Sequence, residues 1–212
     1  ETDGRQKLLA KIISILVTNL STQVHGVVLG PEVGFAAASQ VSEKAGTLFT
    51  LEKQTEVLLP NELPRLLPDW SVQHIRNNYG LLFQKLYYHP HEERAKEKKQ
   101  LIAELYDSCR YEGIDLVLSL ALYAPEGQPS DQATFEESQL TAAREFQAIA
   151  DLLVLENPHT ALAAATLTAA LDIPWLVVER SQDYSQVKAA ARLGINTQTN
   201  ERSICRRRAR TP

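Results

Sequence analysis

Methionine is absent from the 212-residue chain, and cysteine occurs only twice, at Cys109 and Cys205. The two cysteines lack the C-x-x-C spacing of zinc sites and disulfide frameworks, so we expect two free thiols. No apolar run reaches the ~18 residues that a membrane-spanning helix needs, and the first residues lack the basic flank and apolar stretch of a signal peptide. We therefore predict a cytoplasmic protein with no membrane partner and, because no methionine starts it, a sequence that begins inside a longer gene product.

Charge is unevenly placed along the chain. The net charge of −4 divides into +4 for residues 201–212, with five arginines and one glutamate, and −8 for residues 1–200. The composition, 44% hydrophobic and 23% charged, is typical of a globular protein and argues against disorder, collagen and coiled coils. We predict one domain over residues 1–200 and a basic tail over 201–212. The tail is short and lacks interleaved aromatics, so nucleic acid is not an expected partner; an unstructured end or a dock for an acidic partner is expected instead.

Hydrophobic periodicity predicts strands that alternate with helices. Six short apolar runs read as strands: residues 25–29, 46–51, 81–88, 115–122, 151–155 and 175–178. Helical patterns cover residues 6–20, 71–77, 92–112, 136–148, 160–171 and 184–193. This alternation predicts a parallel sheet with right-handed crossovers, either a doubly wound sheet or a (β/α)8 barrel. The sequence lacks the glycine-rich phosphate loops of doubly wound nucleotide-binding proteins. Their absence argues against a nucleotide-binding doubly wound protein, but not against other doubly wound sheets.

Three consecutive segments then favour the barrel. VVLGPEVG (27–34), AGTLFTLEK (45–53) and LPRLLPDWSVQHIRNNYG (63–80) closely resemble successive segments of the tagatose-bisphosphate aldolase family. The similarity extends over about residues 15–194, and its last segments, 150–158 and 172–181, are also similar to sulfofructose-phosphate aldolases. The resemblance implies a (β/α)8 TIM barrel and class I aldolase chemistry, in which a strand lysine forms a Schiff base without metal or cofactor. Here the first strand is missing and the eighth degenerate.

The resemblance also indicates that this chain is a degenerate member. The family's Schiff-base lysine lies in a pattern similar to D-L-x-K-V-E-x-P, and Val154 occupies its position. A second active-site lysine of the family falls at Phe83, and a glutamate falls at Ser119. Valine cannot form an imine. We therefore predict a catalytically inactive aldolase homologue with a binding or assembly role.

The phosphate-binding segment departs from the family pattern as well. Where the family has S-x-G, this chain has Glu179-Arg180-Ser181, and no Gly-Arg pair follows Gly194. A carboxylate and the loss of glycine both oppose anion binding by backbone N–H groups, although Arg180 partly compensates. The candidate residues for a sugar phosphate are Arg180, Ser181 and Glu32.

The alternative is an active class I aldolase that cleaves a phosphorylated ketose to dihydroxyacetone phosphate and an aldehyde. Its candidate catalytic residues are Lys85, Lys53 and Glu52. Lys85 is two positions from Phe83 and so on the same strand face, and Lys53 directly follows Glu52. The competing interpretation is an ordinary barrel lysine at Lys85 and a solvated or ion-paired lysine at Lys53.

Two further features, the H-P-H sequence and a run of charged residues, are interpreted as solvent-exposed structure and not as functional sites. His89 and His91 form an H-P-H sequence, but a metal site needs a third ligand, so we expect an exposed loop. The run EERAKEKK, residues 92–99, predicts a solvated helical face. Finally, six predicted strands out of eight would leave a barrel open, so we expect a protein partner or self-association.

Overall fold

The computed structural model describes residues 2–52, 59–124 and 131–178, and its centre is a parallel sheet of six strands in chain order. The strands are β1 (Gly26–Leu29), β2 (Gly46–Phe49), β3 (Leu81–Tyr88), β4 (Leu116–Leu122), β5 (Leu152–Glu156) and β6 (Trp175–Val178). Every neighbouring pair is parallel. The sheet curls into a half-barrel, which confirms the predicted parallel α/β class.

Helices precede or connect the strands. They are α1 (Thr2–Leu20), α2 (Val72–Asn77), α3 (Ala95–Glu112), α4 (Gln132–Phe146) and α5 (Ala161–Ala170), with 3₁₀ helices at Phe35–Gln40 and Gln147–Ile149. Ser71, Asp131 and Thr160 cap α2, α4 and α5 by accepting hydrogen bonds from backbone N–H groups three residues later, which satisfies donors that the first turn leaves open.

The two faces of the sheet differ, as β3 shows. Leu82, Leu86 and Tyr88 are fully buried and belong to the core that the helices cover, while Phe83 and Lys85 between them are only partly buried. Successive strand residues point to opposite faces, so the second set lies on the concave face of the half-barrel. The pairing register then assigns the concave face of each neighbouring strand.

Most predicted elements are confirmed, and for two strands the predicted first and last residues are both correct. The strands predicted at 81–88 and 175–178 have those bounds, whereas the helix predicted at 92–112 begins only at Ala95. The 3₁₀ helix Phe35–Gln40 was not predicted, because its Phe35 is held by tertiary contacts: its ring lies 4.7 Å from that of Trp70. The predicted helix 184–193 and the tail 201–212 lie outside the described residues.

Gly113 and Cys109 show how α3 joins β4. Gly113 follows the helix with φ of 71°, the left-handed conformation expected of a residue after a helix, and the N–H of Ile114 donates to the carbonyl of Cys109. Cys109 is a buried free thiol, as predicted, and burial raises its pKa to about 12. Cys205 lies outside the described residues.

Helix α1 carries an apolar surface that no described residue covers. Val17 is buried against the rest of the molecule, but six other large apolar side chains on α1 are 45–60% exposed: Leu8, Leu9, Ile12, Ile15, Leu16 and Leu20. Even so, none of the described helices combines the length and apolar character required to cross a membrane.

Candidate functional site

The concave face carries a polar stripe on β3 and β4, formed by Lys85, Tyr87 and Ser119. Lys85 pairs with Ser119 in the parallel register, so the two side chains lie next to each other on this face. Apolar residues flank the stripe on the same face: Val117 on β4, Val154 on β5 and Leu176 on β6. Small-molecule sites are typically lined by apolar side chains with a few polar or charged groups among them.

Lys85 is held by its neighbour on the stripe. Its Nζ donates a hydrogen bond of 2.6 Å to Tyr87 Oη and lies 4.2 Å from the centre of the Tyr87 ring. Both are contacts that bind an ammonium group. The candidate Lys85 therefore lies on the concave face together with Phe83, with its amine engaged by a hydroxyl and a ring.

Glu52 lies beside the same strand. Its Oε1 accepts hydrogen bonds from the backbone N–H of Lys85 (3.2 Å) and from Gln84 Nε2. Burial raises the pKa of the Glu52 carboxyl, while the Lys85 N–H, the Lys85 charge and Gln84 act in the opposite direction. The structure thus brings the predicted residues Glu52 and Lys85 together.

A second polar cluster lies at the carboxyl ends of β3 and β4. Lys98 is 0% exposed, and its Nζ donates to Glu92 Oε2 (2.6 Å), to the Tyr87 carbonyl (2.8 Å) and to the Pro60 carbonyl (2.7 Å). Tyr123 Oη also donates to Glu92 Oε2, at 2.6 Å. The prediction of a solvated face for residues 92–99 is wrong for Lys98. Its ammonium group is buried and donates hydrogen bonds to three protein oxygens instead of to water.

The prediction of an exposed loop at the H-P-H sequence is wrong for His89. It was expected in an exposed loop, but it is 5% exposed. Its backbone N–H donates to Glu92 Oε1 (3.0 Å), and its Nδ1 accepts from the backbone N–H of His91 (3.2 Å). These bonds fold the H-P-H segment over the end of β3, whereas the His91 side chain is exposed as predicted. Within the described residues, no group of three or more His, Cys, Asp or Glu side chains is arranged to hold a metal ion.

The burial of Lys98 left a signal in the sequence that the charge run concealed. Lys98, Ile102, Leu105 and Cys109 follow the spacing of one helical face, and all four are buried. A lysine that continues an apolar face of this kind is a candidate for a buried ion pair.

Comparisons with known proteins place this geometry in context. The chain is 27% identical over 143 residues to tagatose 1,6-diphosphate aldolase 2 of Enterococcus faecalis (strain ATCC 700802 / V583), which covers 66% of this chain and 42% of that protein. For tagatose 1,6-diphosphate aldolase 1 of the same strain the identity is 28%, over 61% of this chain and 41% of that protein. The predicted resemblance to the tagatose-bisphosphate aldolase family is confirmed. The chain spans less than half the length of these two aldolases. No protein-family model matches it.

The fold agrees with a solved aldolase structure. An archaeal fructose-1,6-bisphosphate aldolase, whose catalytic lysine is covalently bound to the carbinolamine intermediate of the substrate, superposes with a TM-score of 0.65 and 12% identity. The superposition covers 86% of this chain and 71% of the archaeal one. At this identity the agreement concerns the fold alone.

The tagatose-bisphosphate aldolase resemblance gives the position of Val154 its meaning. Leu153 and Leu155 on either side are buried on the helix-covered face, so Val154 points to the concave face. Lys85, Ser119 and Val154 stand side by side across β3, β4 and β5 in the pairing register. The residue predicted to replace the imine lysine therefore lies on the concave face, at the same level as Lys85.

Of the remaining predicted site residues, Glu32 lies within the described part of the chain. The Glu32 side chain is exposed in the turn after β1. Lys53, Arg180 and Ser181 lie outside the described residues.

Proposed function

We propose that this chain is an aldolase-like (β/α)8 barrel protein without class I aldolase activity, in which the barrel serves binding or assembly. The observation that carries the proposal is the concave-face position of Val154, between Ser119 and Leu176 in the sheet register. Imine formation needs a primary amine at the site of the substrate carbonyl. None of these three side chains supplies one.

The position of Lys85 supports this proposal. It lies two strands from Val154, and neighbouring strands are about 4.8 Å apart, so the two backbones are roughly 10 Å apart. The Lys85 amine therefore starts from a different backbone position from the one that carries the imine lysine in the aldolase pattern. The Lys85 amine already donates a hydrogen bond to the Tyr87 hydroxyl and lies over the Tyr87 ring.

An active class I aldolase is the second candidate, and one observation favours it. Lys85 has a hydroxyl within 2.6 Å and the Glu52 carboxyl beside its backbone N–H, and burial raises the pKa of that carboxyl. An amine, a phenol and a carboxyl of raised pKa are the groups that imine formation and proton transfer use. In this alternative Lys85, or Lys53, would cleave a phosphorylated ketose to dihydroxyacetone phosphate and an aldehyde.

Reductive trapping distinguishes the two candidates. We expect borohydride treatment in the presence of dihydroxyacetone phosphate to leave the intact mass unchanged, because the imine position is Val154. Lys85→Met provides the matched control. An adduct that peptide mapping locates on Lys85 or Lys53 would contradict the proposal and establish the alternative. An adduct on Lys85 should in addition be absent from the Lys85→Met variant.

The finer architecture is part of the same proposal. We place the barrel domain at residues 1–200, with a missing first and a degenerate eighth strand, and a basic tail at 201–212. A sugar phosphate is the small ligand we assign to the barrel, with Arg180, Ser181 and Glu32 as its weakened phosphate site. We retain a cytoplasmic location and no metal or cofactor as predictions.

The apolar face of α1 supports the assembly role. Leu8, Ile12, Leu16 and Leu20 recur every four residues and form the kind of ridge through which helices pack. We expect self-association through this ridge, seen in sedimentation velocity as a sedimentation coefficient that rises with protein concentration. Leu16→Asp should restore the monomer, whereas Lys11→Asp, on the same helix, should not. A compact, heat-stable monomer at all protein and salt concentrations would contradict the assembly role.

A further inference from the structure

Two tyrosine rings are exposed to solvent at one edge of the sheet. Tyr79 is 97% exposed and Tyr111 is 90% exposed. Tyr79 lies between α2 and β3, and Tyr111 lies in the last turn of α3, which leads into β4. Because β3 and β4 are parallel neighbours, both positions are at the amino edge of the sheet. Barrel enzymes carry their active sites at the opposite, carboxyl edge.

An ion pair connects the two positions. Arg76 Nη1 lies 3.7 Å from Glu112 Oε2, and this contact joins the end of α2 to the end of α3. Arg76 is three residues before Tyr79, and Glu112 directly follows Tyr111. The two rings therefore belong to one surface, which we call the tyrosine patch.

The backbone of Tyr79 has a conformation that disfavours tyrosine. Its φ is 56°, in the left-handed region. The Tyr79 N–H donates to the Arg76 carbonyl and the Gly80 N–H donates to the Ile75 carbonyl, the two bonds that end a helix at a left-handed residue. Glycine or asparagine is usual at this position, because a bulky side chain makes the conformation costly. A ring that adds strain while it stays in solvent points to a contact outside the core.

The chemistry of the patch favours a cationic partner. Tyrosine faces attract cations, and arginine is the commonest partner in such contacts. The charged side chains near the two rings are three carboxylates and two arginines: Asp107, Glu112, Asp115, Arg76 and Arg110. The sequence of this chain supplies further arginines, since residues 201–212 carry five of them, three in succession at 206–208. The patch therefore fits the basic tail in both ring chemistry and charge.

The connection between the sheet and the tail is long enough for this contact. Strand β6 ends at the carboxyl edge, and residues 179–200 follow before the tail begins. With a helix over 184–193, as the sequence predicts, this segment can span up to ~55 Å. The amino edge is roughly 26 Å away along the strands, the length of the eight residues of β3. The contact therefore requires no rearrangement of the described sheet.

We propose that the basic tail, residues 201–212, docks on the tyrosine patch of its own chain, with guanidinium groups over the rings of Tyr79 and Tyr111. Each exposed cation–π contact is weak, so several arginines and both rings act together. Because the tail is tethered to the sheet, its effective concentration at the patch is high. This interaction goes beyond the proposed function and is independent of it, since no concave-face residue takes part.

Cys205 lies within the tail and allows a direct test on the 212-residue chain. Cys109 is buried, and burial raises its pKa to about 12, so a nitroxide thiol reagent should label only Cys205. We expect the nitroxide to broaden the backbone amide NMR signals of Tyr79 and Tyr111, relative to the same sample after reduction of the nitroxide. The amide signal of His91, at the carboxyl edge, should keep its intensity.

Mixing and charge removal show which tail is bound and by what. Chains that carry both ¹⁵N and the nitroxide are mixed with an excess of chains that carry neither. The broadening should persist, because docking within one chain does not depend on neighbouring chains. The combined variant Arg206→Gln, Arg207→Gln and Arg208→Gln should lose the broadening, because it removes three guanidinium groups and retains Cys205.

Two variants at position 79 separate docking from folding. Tyr79→Asn removes the ring but introduces a residue that accepts the left-handed conformation, so the urea midpoint of unfolding should stay equal or rise. The docking equilibrium constant should fall about 2- to 5-fold, the loss of one exposed cation–π contact, seen as weaker broadening at Tyr111. Tyr79→Phe is the matched control, because it keeps the ring and should dock within about twofold of the parent.

Three results would each overturn the proposal: no broadening at the patch, broadening that disappears in excess unlabelled chain, or unchanged broadening at Tyr111 in Tyr79→Asn. The first result includes a nitroxide that broadens signals on another surface, such as α4, and the second assigns the contact to the tail of another copy. If Tyr79→Asn also lowered the urea midpoint, Tyr79 would serve the fold and not the tail. None of these results bears on borohydride trapping, which reports on lysine amines.

Discussion

Lys98→Met should lower the free energy of unfolding by about 3–5 kcal/mol, the cost of breaking a buried ion pair from one side. The substitution keeps most of the apolar length of the side chain but leaves Glu92 as a buried carboxylate whose remaining donors, within the described residues, are Tyr123 and the backbone N–H of His89. It also leaves the carbonyls of Pro60 and Tyr87 without the donor they now have. Urea unfolding followed by circular dichroism would measure the loss.

Lys96→Met is the control for that substitution. Lys96 is two residues earlier in α3 and exposed, so its replacement should change the free energy of unfolding by no more than about 0.5 kcal/mol. If Lys98→Met were equally mild, the ion pair with Glu92 would not exist in solution as described, and the arrangement of the H-P-H segment would have to be revised.

Gly80→Ala should be the second severe substitution, with a loss of about 1–3 kcal/mol from overpacking. A Cβ at position 80 would lie 2.4 Å from Phe49 Cδ2 and 2.6 Å from Phe49 Cε2. Phe49 is 0% exposed and belongs to the core, so its ring cannot move aside without displacing other buried groups. Thermal or urea unfolding at equal protein concentration would report the effect.

Gly46→Ala separates the steric effect from the general effect of replacing glycine. Gly46 begins β2 as Gly80 precedes β3, but a Cβ there would meet only the His25 carbonyl, at an ordinary 3.7 Å. We expect Gly46→Ala to be neutral or slightly stabilising. Equal losses at the two positions would show that the contact with Phe49 is not the cause.

The candidate site was only partly predictable from the sequence. Strand periodicity placed Lys85 on the face of Phe83, and the resemblance placed Val154 at the imine position; both depend on local spacing, which a strand preserves. The H-P-H sequence and the charge run 92–99, in contrast, led to the expectation of an exposed loop at His89 and a solvated helical face at Lys98. Their burial depends on Pro60 and Tyr123, which are 38 and 34 residues away from Lys98 and His89 along the chain, respectively.

The amino-acid sequence by itself determined the alternation of strands and helices, the parallel sheet and the similarity to tagatose-bisphosphate aldolases. The alternation and the parallel sheet follow from apolar periods of two and 3.6 residues, which act over a few neighbouring residues. The similarity to the aldolases follows from the resemblance of segments 27–34, 45–53 and 63–80 to that family. Only the tertiary structure decided which charged groups lose their water. The desolvation of Lys98 and Glu92 is offset by oxygens and donors from distant loops and strand ends, and folding alone brings those groups together.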